Sequence, residues 1–161
     1  MPITPFHLGS GLLIAELTPA SFAAFVWSNV IIDVESVYHL VAGMYPVHTF
    51  LHTAVGATLA AVAAIGLTLA GRAAWARWRG AAARESLVAV AAGALAGAWS
   101  HVLLDAIMHA DLRPLAPWSS RNPLLGAVPL SWLHLACAIA GGIGVALLVR
   151  RRWALGNARQ G

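Results

Sequence analysis

Residues 87–109 read LVAVAAGALAGAWSHVLLDAIMH, and this stretch decides the fold. Its first eighteen residues hold no Asp, Glu, Lys or Arg, close to the ~20 apolar residues needed to cross a ~30 Å hydrocarbon core. Its second half then carries His101, Asp105 and His109 at four-residue intervals. That spacing places all three on one face of a helix. Ionisable groups at membrane depth are costly, and by default they mark function. The segment therefore reads as a transmembrane helix carrying half of a site.

The rest of the chain agrees with a membrane setting. It has 161 residues, enough for one domain, and 60% are hydrophobic while only 10% are charged. Soluble domains carry about 25% charged residues, so there are too few charges here to coat a water-soluble globule. The formal net charge is +4, but all ten basic residues are Arg, and eight of them lie in two clusters beside apolar runs: Arg72, Arg77, Arg79 and Arg84, then Arg150, Arg151, Arg152 and Arg159. Such clusters are topology signals, and they argue against a nucleic-acid partner. The single Cys137 lies in an apolar run, which leaves no disulfide framework or Cys-based zinc site and assigns it to packing.

Two further uncharged stretches predict helices at 47–70 and 131–149 beside the one at 87–109. Residues 7–17 and 20–32 are apolar but short, with Thr18-Pro19 between them. They read as two half-length helices in a hairpin, re-entrant rather than spanning, since irregular backbone at membrane depth is tolerated inside protein. The expectation is an all-α polytopic membrane bundle of three long transmembrane helices plus this N-terminal hairpin, in one domain covering 1–161. The positive-inside rule places the loop 71–85 and the C-terminus in the cytoplasm, and the Pro-rich loop 110–130 outside. Gly93 and Gly97, and Gly141, Gly142 and Gly144, offer small faces for close helix packing.

The ligand-type residues gather at one depth. His48 and His52 repeat the four-residue spacing on the 47–70 helix, and Asn29 and Asp33 repeat it on the second arm of the hairpin. At ~1.5 Å per residue, His101, His52 and His134 lie roughly 21, 27 and 24 Å from the cytoplasmic ends of their helices. Asp33 and His7 reach the same level from the hairpin. The expected metal ligands are His7, Asp33, His48, His52, His101, Asp105, His109 and His134, with Asn29 orienting one of them and His39 set aside. Imidazole and carboxylate without thiolate suit Zn²⁺ first, with Mn²⁺ or Fe²⁺ as alternatives. Two carboxylates, Asp33 and Asp105, allow neighbouring ions to share the site, and about one to three ions would activate water for hydrolysis and hold the leaving oxygen of a phosphoester. Asp33, Glu35 and Asp105 are the catalytic candidates, with Asp33 or Glu35 as base. Arg113 and Arg121, in the outer loop, are candidates for binding a phosphate headgroup.

The opening Met-Pro-Ile-Thr-Pro-Phe-His7, the runs Asn29-Val-Ile-Ile-Asp33-Val-Glu35 and Tyr45-Pro-Val-His48-Thr-Phe-Leu-His52, Ser100-His101-Val-Leu-Leu-Asp105-Ala-Ile-Met-His109, and Asn122-Pro-Leu-Leu-Gly126 with His134 resemble the YdjM-like inner-membrane family of metal-dependent hydrolases. That family is similar, more distantly, to the zinc-dependent phospholipase C and P1-type nuclease superfamily. The resemblance implies a multi-pass protein of the bacterial inner membrane. It also implies His101 and Asp105 as ligands, His7, Asp33, His52 and His109 beside them, and a phosphodiester substrate. Together with the residues it predicts a hydrolase acting on a membrane lipid or lipid-linked phosphoester. Two rival readings remain at this stage: a di-iron membrane oxygenase, from the His48-x-x-x-His52 spacing, and a metal-ion transporter or sensor.

Overall fold

The computed structural model describes residues 5–80 and 85–158. Arg84, Arg159 and the first four residues of the opening motif lie outside the described residues. The chain there is all helical: α1 Pro5–Leu17, α2 Phe22–Val41, a single 3-10 turn Phe50–His52, α3 Ala54–Arg79, α4 Leu87–Met108 and α5 Leu130–Asn157. Three of these, α3, α4 and α5, are long and apolar enough to cross a membrane. Their outward faces are rich in exposed Leu, Ile, Val and Trp, a surface suited to lipid rather than water.

Local chemistry sets the helix ends. Side-chain oxygens of Ser21, Thr53 and Ser86 accept from the main-chain N–H groups of Ala24, Gly56 and Ala89, the usual N-cap arrangement. Gly80 closes α3 in the left-handed region at φ +77°, its N–H donating to Ala76 O, a conformation that glycine adopts without steric penalty.

The helices alternate in direction. The Ser21 N–H donates to Ala89 O at 2.9 Å, so α2 starts level with the first turn of α4 and runs parallel to it. Arg72 pairs with Glu85 at 3.1 Å and Arg151 with Glu16 at 3.7 Å. The ends of α1, α3 and α5 and the starts of α2 and α4 thus lie together at an Arg-bearing end, and the histidines lie toward the other.

Packing depends on small residues. Ala24, Ala57, Ala60, Ala61, Ala64, Ala94 and Ala98 fill the core with Ile32, Val90 and Val102. A Cβ on Gly93 would collide with Ser21 O, and one on Gly97 would lie 2.6 Å from Phe25 O. On the other side of the bundle, α1 lies along α5, and a Cβ on Gly144 would meet Leu13 N at 2.8 Å. Gly142 has open space around it, so it is not part of the small-residue face.

Several boundaries differ from expectation. The second hairpin arm is not half-length: α2 has 20 residues and runs the same course as α4. The hairpin's turn reaches the Arg-bearing end. Residues 47–53 do not belong to α3, which starts at Ala54, because the main-chain donors of Val47, His48, Phe50 and Leu51 are taken by side-chain carboxylates instead. At the far end α3 and α5 continue past 70 and 149 to Arg79 and Asn157. Arg limits how far a helix can sit in lipid, but Arg and Ala are good helix formers and let it extend.

Candidate metal centre

Asp105, near the last turn of α4, stands at the middle of the site with 5% of its surface exposed. Its Oδ2 lies 3.3 Å from His101 Nε2 and 3.4 Å from His52 Nε2, while its Oδ1 lies 3.4 Å from His7 Nε2 and 4.0 Å from His109 Nε2. Asp33 Oδ1 approaches His101 Nε2 at 3.3 Å from α2. Four elements contribute: α1 brings His7, α2 brings Asp33, the 3-10 turn brings His52, and α4 brings His101 and Asp105. His48 joins from the preceding loop, its ring 4.8 Å from that of His52 and stacked on His109 at 4.1 Å between centroids.

These are ion-pair contacts at 3.3–4.0 Å that lack hydrogen-bond alignment. Both ring nitrogens of His7, both of His52, and Nε2 of His101 are buried without a hydrogen-bond partner. Buried polar atoms are nearly always satisfied, and five orphans at one place call for an explanation. Two ligands on a tetrahedral zinc with bonds near 2.1 Å lie about 3.4 Å apart, the separation seen at His7, His52, His101 and Asp33. Four overlapping triads, His7/His101/Asp105, Asp33/His52/His101, His48/His52/Asp105 and His48/His109/Asp111, each bring ligand atoms within 4.8 Å of one another. The two oxygens of Asp105 face different histidines, the arrangement of a carboxylate able to bridge two ions.

Outer contacts orient the ligands. Asn29 donates through Nδ2 to Phe25 O at 2.8 Å, which turns its Oδ1 toward His101 Nδ1 at 2.9 Å. His101 Nδ1 is therefore the donor to Asn29, which leaves Nε2 facing the carboxylates. Asp111 does the same for His48: its oxygens accept from His48 Nδ1 at 3.0 and 3.1 Å, and Oδ2 also accepts from the N–H groups of Val47 and His48 at 2.9 and 3.1 Å. Burial alone would raise the Asp111 carboxyl, but these bonds outweigh it and hold the group below the usual carboxylate range. Burial, reinforced by neighbouring His48, pushes the His109 imidazole below its ordinary value, which favours the neutral ligand form.

Of the residues expected from sequence, His7, Asp33, His48, His52, His101, Asp105 and His109 come together, with Asn29 behind His101. Others do not. His134 is in none of the four triads found among the described residues, because α5 packs mainly on α1. Both oxygens of Glu35 are engaged away from the cluster, accepting from Phe50 N at 3.1 Å and Leu51 N at 2.7 Å, so its geometry is that of a loop clip rather than a ligand or base. Arg113 and Arg121 are exposed, and no described contact brings either to the cluster. His39 points to Pro46 O at 3.1 Å, outside the site. Asp111 is the addition, and the signal was there: a carboxylate two residues beyond His109.

The cluster opens on one side to a cavity of about 850 Å³ whose walls include Asp33, His48, Asp105, His109 and Asp111. Comparison with protein-family models, curated proteins and solved structures gave no significant match. The site is therefore read from its own geometry.

Proposed function

We propose that this membrane protein is a metal-dependent hydrolase that cleaves a lipid or lipid-linked phosphoester, with zinc as the best-fitting ion. The observation that carries the reading is the convergence of three orphaned Nε2 atoms, of His7, His52 and His101, on Asp105 and Asp33. A His/Asp donor set without thiolate suits zinc, manganese or iron, and the ligand spacing favours the tetrahedral geometry of zinc. When bound, such an ion supplies Lewis-acid polarisation of the phosphoryl oxygen and a water acidic enough to attack near neutral pH.

The chain's own groups do the rest. His7, His52 and His101 with Asp105 would hold the ion in a buried pocket, and Asn29 and Asp111 orient the rings of His101 and His48. Asp33, whose side chain is 27% exposed and lines the cavity, is placed to take the proton of the attacking water as its oxygen bonds to phosphorus, and to return it to the leaving oxygen. The positive-inside rule puts the Arg-bearing end in the cytoplasm, which would set the cluster in the outer half of the membrane; the resemblance to the YdjM-like family implies an inner-membrane protein. Ligands confined to one compact level favour a reaction site over an ion path.

The test is metal content by mass spectrometry on detergent-purified protein prepared without chelator, beside a His101→Ala/Asp105→Ala variant. The expected result is about one to three zinc ions per chain, lost in the variant, followed by metal-dependent cleavage of phosphodiesters. Equal, near-zero metal in both proteins after incubation with zinc and manganese would overturn the reading.

A further inference from the structure

We infer that the cavity selects its substrate by an alkyl tail laid against the last two turns of α2; this inference rests on the hydrolase reading above. Asp33, Ser36, Val37, Leu40 and Val41 all line the cavity, and their spacing of 3, 4, 7 and 8 residues from Asp33 makes them one stripe of α2. The stripe changes character along its length: a carboxylate at the ligand cluster, then a hydroxyl, then three apolar side chains. Tyr45 and Val47 face it from the loop that carries His48.

Val37 and Leu40 are 43% and 45% exposed, and Val41 and Tyr45 are 81% exposed. At ~1.5 Å per residue the apolar wall extends about 12 Å from Asp33. It leads away from the Arg-bearing end, so the occupant reaches the cluster from the outer surface, with its tail along α2 and its polar head on the histidines. Asp33, Asp105 and Asp111 make the polar floor acidic, and two bound divalent ions would outweigh their charge. The occupant fitting both ends is an anionic amphiphile: a phosphoester bearing an alkyl tail.

The experiment uses the full-length protein in nanodiscs of neutral phosphatidylcholine, with two photoactivatable probes of equal length, an alkyl phosphate and the matching alkyl alcohol, each with a diazirine at the tail. Metal content is measured on the same samples. The expected result is phosphate-selective labelling concentrated in residues 34–47, falling about tenfold in Val37→Asn/Val41→Asn, whose metal content is unchanged. Equal labelling by both probes would make the wall an ordinary lipid-facing surface. Labelling spread over α3 to α5, or crosslinks joining two copies of the chain through residues 34–47, would also overturn the inference. Metal-loaded protein without selective labelling sinks the groove alone. Phosphate-selective labelling that persists in a metal-free His101→Ala variant sinks the metal's role and leaves the groove standing.

Discussion

Removing the Asp111 carboxylate tests whether outer contacts determine metal affinity. Asp111 accepts from two main-chain N–H groups and from the His48 ring, all at 2.9 to 3.1 Å. Hydrogen bonds to a charged group contribute about 1.5–3 kcal/mol each when buried. The Asp111 side chain keeps 11% of its exposure, and water can reach the freed amides, so the low end for one or two bonds is the reasonable expectation, about 2 kcal/mol. That free energy belongs to the loop and not to the bundle, because Thr53 caps α3 independently. It converts to roughly 30-fold weaker metal binding, within the 10–100-fold range for loss of a group that orients a ligand. The assay is zinc affinity by competition with a chromogenic chelator for wild type, Asp111→Ala, Asp111→Asn and Asp111→Glu. Asp111→Asn should lose less than Asp111→Ala, since its amide oxygen can take the Oδ2 place facing the N–H groups of Val47 and His48 while the charge is lost. A second arm uses His48→Ala: if Asp111 acts through His48, the double variant should bind no more weakly than His48→Ala alone. Wild-type affinity in Asp111→Ala, or additive losses in the double variant, would refute the reasoning.

Three further outcomes follow from the same geometry. In Glu35→Ala the Phe50 and Leu51 amides lose their acceptor, so metal affinity should fall severalfold; a lost hydrolysis rate at unchanged metal affinity would instead restore Glu35 as the base. Gly97→Val should destabilise the α2–α4 contact by about 1–3 kcal/mol as an overpacking change, read as earlier loss of monodisperse protein on heating, while Gly142→Ala, with nothing within 4 Å, should be silent. His134→Ala should keep the full metal complement; an ion missing from that variant would bring α5 into the site.

The common level of the site residues along the bundle was legible because helices are rigid rulers. Asn29 and Asp33 on α2 and His101, Asp105 and His109 at the end of α4 follow a fixed rise and a fixed face, so counting residues from the Arg clusters places them at one level. The same arithmetic brought His48 and His52 to that level by a different route from the real one. They are not a helical pair; they sit on a loop and a 3-10 turn, and their rings meet because Glu35 and Asp111 clip that segment from two sides. Nothing in the periodicity of 47–70 marks this departure, since a carboxylate that accepts from distant main-chain amides leaves no local pattern. For the same reason Glu35 looked like chemistry, although it clips the same segment that Asp111 holds.

His134 shows the limit from the other direction. Its depth is right, yet depth says nothing of which helices touch. α5 packs on α1 through Gly9, Gly141 and Gly144, and among the described residues no ligand triad includes His134. Level and neighbour are separate questions in a bundle: the first is set by hydrophobic length, the second by where the small residues fall. In this chain the small-residue faces choose the partners, α2 with α4 and α1 with α5. The first pairing gathers Asn29, Asp33, His101 and Asp105, and the 3-10 turn adds His52. The second pairing uses α5 to support α1, whose outer end delivers His7, so a helix without a ligand of its own still contributes to the site by positioning one that has it.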